Sequence, residues 1–402
     1  MAGLTTMERD AVARAGGASM LDQAMRWSAV NSGTGNLAGL AEMAVLLGDA
    51  FSALPGELSL VEPAPAERVE ADGRVVAVEH GRHLRLSVRP GARSRMLFTG
   101  HMDTVYPADH AFREVTDRGD GTIGGPGTAD MKGGLAVMLA ALGAVEASPI
   151  AARIGYDVMI NSDEETGSLS SAALIAELAR GKVAALTYEP ALPDGTLAGA
   201  RGGTGNFSIV VEGRAAHAGR DPEDGRNALV AAADLTMRLA AAKSAGLTVN
   251  PARIDGGGPN NVVPPHAVLR VNFRPADTDA IARARAAIDR AVAEVARDHD
   301  VTVRVHGAFN RPPKPVDAGA ARLFALVGEA GGALGIPIAA RATGGVCDGN
   351  NIAAAGVPVI DTMGVRGGAI HSADEFMIVE SLAERAALSA VTVLRIAERG
   401  RV

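Results

Sequence analysis

The sequence predicts an α/β protein: a mixed, mostly parallel sheet with helices on both faces, interrupted by an inserted α+β domain. Three observations lead there. Short apolar runs alternate with helical ones between about residues 74 and 188, the pattern of strands joined by crossover helices. Near Gly199 the order changes to β-α-β-β-α-β over ~110 residues, a ferredoxin-like sandwich able to fold by itself. From Pro312 the alternating pattern resumes. The expected division is 1–199 and 312–402 for the two parts of the main domain, with 200–311 inserted between them.

Residues 1–50 read as helices, since Met20 to Val30 and Leu37 to Leu47 carry apolar residues at three-to-four spacing. Between them Asn31-Ser32-Gly33-Thr34-Gly35 is a break. Arg74 to Val78, Leu84 to Val88 and the compact run Met96-Leu97-Phe98-Thr99 read as strands. A Gly/Pro-rich turn from Gly124 to Gly134 leads into an apolar helix, Leu135 to Val145. The strand Ile154 to Ile160 ends in Asn161-Ser162-Asp163-Glu164-Glu165-Thr166-Gly167, and the strand Val183 to Tyr188 ends in Glu189-Pro190, with a helix from about Ser170 between them. In the inserted part, Phe207 to Val211, Leu247 to Ile254, Ala267 to Phe273 and Val301 to Val305 are strands, with helices at Asn227 to Ala242 and Thr278 to Ala296. The last part contributes a helix at Ala320 to Leu334, a strand at Val357 to Ile360 and a helix at Glu380 to Ala397.

At 402 residues the chain exceeds what one hydrophobic core usually serves. Its apolar fraction of 47% and charged fraction of 21% are those of a soluble globular protein. A net charge of −7 with no Lys/Arg-rich block argues against nucleic-acid binding. The single cysteine, Cys347, rules out an internal disulfide and suits a reducing compartment. The N-terminus does not read as a signal peptide, and no run approaches the ~20 apolar residues of a membrane span. The expectation is a cytoplasmic protein with no nucleic-acid or membrane partner, or a periplasmic one where a leader has been removed.

His101, Asp130, Glu164, Glu165 and Glu189 each lie just past a strand or in a turn at one end of the expected sheet. In open α/β sheets functional groups gather outside the carboxyl ends of the strands, so these positions can converge. Gly367-Gly368-Ala369-Ile370-His371-Ser372 adds a second histidine. Two imidazoles with three carboxylates are the ligand set that a pair of zinc-like ions wants. Asp130, Glu165 and Glu189 with one bridging hydroxide balance the charge of two divalent ions. Glu164 is then left over, free to accept a proton from water. Asp103 suits an outer role, accepting the other ring N–H of His101 and fixing its tautomer.

These residues resemble the zinc-dependent M20 aminoacylase/carboxypeptidase family over nearly the whole chain. The carriers are Gly100-His101-Met102-Asp103-Thr104-Val105, the run Gly124 to Gly134 around Asp130, and Asp163-Glu164-Glu165-Thr166-Gly167-Ser168. Tyr188-Glu189-Pro190, Gly213-Arg214-Ala215-Ala216-His217-Ala218-Gly219 and His371 complete them. Within the family the likeness is to bacterial glutamate carboxypeptidases of the carboxypeptidase G2 type. The resemblance implies a zinc-exopeptidase-like fold whose inserted domain is a lid and dimerisation domain, two Zn2+ or other divalent ions per subunit, and a homodimer. Asp130 would bridge both ions, His101 and Glu189 completing one site and Glu165 and His371 the other. Glu164 would be the general base and later the proton donor. A cis peptide is implied at Asp130-Met131.

By the same resemblance His217 would reach the partner subunit's active site and stabilise an oxyanion. Asn261 and Arg274 would hold the substrate's terminal carboxylate, and the Gly-rich loop from Thr343 to Asn350, with Gly344 and Gly345, would close over the substrate. The expected activity is hydrolysis of the amide before a C-terminal amino acid in small peptides or N-acyl amino acids. The rivals are an N-acyl-amino-acid deacylase or dipeptidase on the same scaffold and, more distantly, a catalytically silent metal-binding relative.

Overall fold

The computed structural model describes residues 3–402. Its central sheet has six strands, in the order Glu57–Val61, His83–Val88, Ile154–Asn161, Ser94–His101, Ala184–Thr187, Val359–Ile360. The first two pairings are antiparallel and the remaining three parallel. Parallel pairing sets the carboxyl ends of four strands on one edge, with His101 opposite Asn161 in register. Strands buried on both faces are largely apolar, and Ile154–Asn161 has every residue buried, with Asp157 and Asn161 its two charged or amide members.

One face is covered by the helix Gly133–Glu146, which packs against Thr6–Gly16, Met20–Ser28 and the last helix, Glu380–Arg399. The other face carries Ala172–Ala179 and Asp348–Ala354, packed on Leu97, Met159 and Ala185. The stretch Thr128–Glu146 is, by length and composition, apolar enough to cross a membrane, which the sequence expectation overlooked. Its apolarity has another cause: 94% of that window is buried, so it meets protein on every side. Glycine at position 134 is required for this packing, because a Cβ there would lie 2.1 Å from the Tyr188 carbonyl oxygen. The helix thereby touches the strand end that carries Glu189.

The segment from Thr204 to Arg311 builds its own antiparallel sheet, in the order Leu247–Gly256, His266–Pro275, Thr204–Glu212, Thr302–Arg311. Helices Ala228–Ala240 and Thr278–His299 cover one face over a core that includes Ile209, Leu235, Leu269 and Ile288. Phe207, Phe273 and Phe309 meet edge to face within it. The strand Val75–Val78, expected at Arg74 to Val78, forms a hairpin with Ala66–Val69, a strand that was not expected, and the hairpin docks on the opposite face. There Val69 packs on Val210 and Val268, and Arg270 donates to the Val69 carbonyl. The strand Glu57–Val61 was also missed, since its residues alternate only between exposed and half-buried positions.

One expectation needs correction. The Gly-rich stretch Thr343 to Asn350 is not one loop. Ala340–Thr343 is a strand paired in parallel with Leu197–Arg201, and a helix begins at Asp348. Asn350 accounts for the helix: its Oδ1 accepts the Cys347 N–H, while its amide donates to the carbonyls of Gly202 and Pro312. Only residues 344–347 remain irregular.

Asp157, in the middle of the sheet, is fully buried between Lys182 at 2.9 Å and Arg95 at 2.5 Å. Burial acts to raise its pKa, yet the Lys182 and Arg95 charges hold it below the usual carboxylate value. Asp157→Asn leaves Lys182 buried without its counterion, and a loss of about 3–5 kcal/mol is expected in denaturant unfolding at neutral pH. Because the folded-state pKa is the depressed one, this contribution is present above the unfolded value and fades as pH falls through the folded one. An Asp157→Asn stability deficit that persisted unchanged at strongly acidic pH would contradict this.

Candidate metal centre

Asp130 stands in a short turn, Thr128–Lys132, between the strand Thr122–Gly124 and the buried helix. Gly127, at φ 73°, lets the chain fold back on itself there, and the Asp130-Met131 peptide is cis. The two carboxylate oxygens of Asp130 face different histidines. Oδ1 lies 3.1 Å from His101 Nε2, and Oδ2 lies 3.4 Å from His371 Nε2. His101 Nε2 is also 3.9 Å from Glu189 Oε1, and His371 Nε2 is 3.2 Å from Glu165 Oε2. The structure thus gathers His101, Asp130, Glu164, Glu165, Glu189 and His371 at the carboxyl edge of the sheet. Candidate ligand atoms of His101, Asp130 and Glu165 fall within 4.8 Å of one another, as do those of His101, Glu164 and Glu189.

Asp103 is placed differently from expectation. The nearest acceptor for His101 Nδ1 is the Asp103 main-chain carbonyl at 3.0 Å, with its carboxylate 3.4 Å away. The carboxylate instead receives the backbone N–H groups of Glu164 and Glu165 and the Thr34 hydroxyl. It therefore orients the turn that presents both glutamates, as well as lying beside the imidazole.

The electrostatics are those of an anionic cluster awaiting cations. Burial pushes Glu164 up to about 7 and Glu165 up to about 8, with nearby Asp130 adding repulsion in each case. Burial also raises Glu189. Hydrogen bonds to Asp130 and Glu165 push His371 up to about 10. Against burial, the two histidines hold Asp130 well below the usual range. Four carboxylates in a low-dielectric site repel one another unless positive charge is supplied. The donor set of imidazole nitrogens and carboxylate oxygens fits divalent ions of the zinc type.

One cation in the site was not foreseen. Arg311 is buried, with Nη2 2.7 Å from Glu164 Oε1 at an angle unsuited to a hydrogen bond, and it donates to the Glu164 carbonyl and the Ser168 hydroxyl. The strand that carries it was expected to end at Val305 and instead runs on to Arg311, so the sequence reading did not bring Arg311 to a strand end. Glu375 and Tyr106, behind Asp130, were missed as well.

Two cavities flank the cluster. A 280 Å³ cavity runs past Glu189 and Pro190 to Leu192, Leu197, Arg341 and Cys347. A 370 Å³ cavity lies towards the inserted sheet and brings Arg274 into line with Glu164, Glu165, Arg311 and His371. Gly345 lines both, whereas Gly344 is exposed and lines neither. A larger groove of 480 Å³, between the hairpin and the inserted sheet, contains none of the clustered acids. His217 and Asn261 are exposed and line neither flanking cavity. They neighbour each other instead, through a bridge between His217 and Val262 and a bond from the Ala218 N–H to the Asn261 carbonyl.

The family model described as Peptidase family M20/M25/M40 matches residues 97–395. The chain is 33% identical over 312 residues to carboxypeptidase G2 of Pseudomonas sp. (strain RS-16), covering 74% of this chain and 73% of that one. It is 31% identical over 216 residues to N-acetyl-L-citrulline deacetylase of Xanthomonas campestris pv. campestris, covering 50% and 56%. Among solved structures, the Bacillus subtilis protein YXEP, described as a dinuclear metal binding peptidase, superposes with a TM-score of 0.63 at 15% identity, covering 94% of this chain and 98% of that one.

Proposed function

The chain belongs to peptidase family M20/M25/M40, a family of hydrolytic enzymes, and from that premise we propose that it cleaves the amide bond before a C-terminal amino acid, as a glutamate carboxypeptidase would. The observation that carries the two-metal part is the placing of Asp130, whose two oxygens face His101 on one side and His371 on the other. His101, Asp130 and Glu189 would hold one divalent ion, and Asp130, Glu165 and His371 a second, with zinc the ion this donor set suits. Bound there, the ions supply a lowered pKa for water and polarisation of the carbonyl under attack.

The chain's own residues do the rest. Glu164 accepts the proton from water and returns it to the leaving amine. Arg311, held against one Glu164 oxygen, gives this glutamate a cationic neighbour, whereas Glu189 has His101 beside it. Arg274 lines the second cavity with its Nε donating to Asn272 Oδ1, and its guanidinium would hold a substrate carboxylate there. Arg274→Ala should raise KM for N-acyl-glutamates by ~10–100-fold, the worth of one hydrogen-bonded charge pair. Initial-rate kinetics will read this.

Support for a homodimer through the inserted domain comes from its surface. Leu229, Val230 and Met237 are exposed on one helix, and Leu247–Gly256 is an edge strand. In such a dimer His217 and Asn261 would serve the partner's site. The alternative activity, N-acyl-amino-acid deacylation, is favoured by the likeness to a deacetylase. A screen of N-acyl and peptide substrates with zinc-loaded enzyme separates the two. The carboxypeptidase assignment fails where N-acyl-glutamates are cleaved no faster than acetylated neutral amino acids.

Metal uptake should depend on pH with a definite sign. In the metal-free protein Glu165 and His371 both hold protons at neutral pH, since both are raised above it. A cation must displace those protons, so uptake releases them and apparent affinity rises with pH up to about 8, where Glu165 loses its proton, and on towards about 10, where His371 does. Calorimetry in buffers of different ionisation enthalpy measures the release; none at all would contradict the assignment of these ligands.

A further inference from the structure

Glu375 lies four residues after His371 and is 1% exposed. Its Oε1 receives the backbone N–H groups of Ala129 and Asp130, both at 3.0 Å. Its Oε2 receives the Gly127 N–H at 3.2 Å and the Tyr106 hydroxyl at 2.9 Å. Three N–H groups of one turn therefore converge on one carboxylate, the arrangement of an anion-binding nest filled by a side chain. The Tyr106 hydroxyl also lies 2.8 Å from the carbonyl of Ser372, next to His371, and Tyr106 is five residues beyond His101. The strand that follows, Phe376–Ile378, pairs with Thr122–Gly124, which leads into the Asp130 turn. Three segments that carry candidate ligands thus meet at one buried carboxylate.

We propose that Glu375 is the positioning residue for the bridging acid: it pins the Asp130 turn from behind and ties it to the His371 loop, so that both histidines meet opposite oxygens of one carboxylate. Asp103 does the equivalent for Glu164 and Glu165 by receiving their N–H groups. The need is greatest at His371, whose side chain is about half exposed and has less packing to hold it. Small displacements of a bridging carboxylate disturb two sites at once. Partners of this kind behind metal ligands are worth about 10–100-fold in affinity.

The inference rests on reading Asp130 as a shared ligand, so its test reads metal and not substrate. Metal-free wild type, Glu375→Gln, Glu375→Ala and Tyr106→Phe are titrated with Zn2+ against a chromophoric chelator. Circular dichroism shows that each is folded at the temperature used. Glu375→Gln keeps one acceptor oxygen but sets an amide NH2 against an N–H, and is expected to weaken Zn2+ binding ~10-fold, Glu375→Ala ~100-fold. Tyr106→Phe should weaken it less, in the same direction. Excess Zn2+ should restore most of the kcat of Glu375→Gln, which it cannot do for a variant lacking the general base. Were Glu375→Ala not to fold, Glu375→Gln and Tyr106→Phe decide. Both ions bound within twofold of wild type by these two variants, whatever the change in melting temperature, would overturn the proposal. Wild type that binds no Zn2+ would instead overturn the metal assignment and this proposal with it. Wild type that binds two ions but cleaves no N-acyl-glutamate counts against the substrate assignment alone.

Discussion

Glu164→Gln is expected to bind two divalent ions per chain and to turn over substrate some 10²–10⁴-fold more slowly than wild type. The amide keeps the size of the carboxylate and its contact with Arg311, but it cannot take a proton from water. The separation of roles depends on Arg311. Distance alone groups Glu164 with His101 and Glu189 as a possible ligand set. A guanidinium 2.7 Å from Oε1 makes that oxygen a poor place for a second cation, because like charges so close repel strongly in a buried site. Metal analysis alongside the kinetics distinguishes the cases. Loss of one ion from Glu164→Gln would move Glu164 among the ligands, and full activity would remove it from the mechanism.

Asp130→Asn is expected to have an effect as large, through metal content. An amide offers one oxygen where two are needed, so at most one ion should remain bound tightly, and activity should fall by ~10³-fold or more as the two-ion arrangement is lost. Glu189→Gln, on the His101 side only, should weaken one ion and leave the other. Equal metal loss in the two variants would mean that Asp130 is not shared. In Asp130→Asn the His371 proton also loses an acceptor, so its pKa should fall towards the ordinary imidazole value, a change that proton NMR of the metal-free protein can follow.

Much of this molecule was readable before any fold was known. The strand Ser94–His101 shows in Met96-Leu97-Phe98-Thr99, and the βαββαβ order of the inserted part shows in alternating periods of two and 3.6. Acids and histidines directly after strands are legible for the same reason, since parallel pairing alone sends strand ends to a common edge. The short strands Glu57–Val61 and Ala66–Val69, the latter the partner of Val75–Val78, were not legible, because few of their residues are buried and their pattern is weak. Nor was the helix at Asp348, whose start depends on Asn350 reaching Gly202 and Pro312 far away in sequence.

What the sequence by itself determined about this protein is the two-part α/β architecture and the chemical types that stand at its strand ends. What only the tertiary structure decided is the partnership among them. It set which Asp130 oxygen faces which histidine, that the Asp103 carboxylate receives the N–H groups of Glu164 and Glu165, that Arg311 guards Glu164, and that Glu375 stands behind the Asp130 turn. The physical reason is range. Periodicity records burial along one element, whereas a carboxylate that receives backbone N–H groups some 245 residues away leaves no periodic trace in either segment.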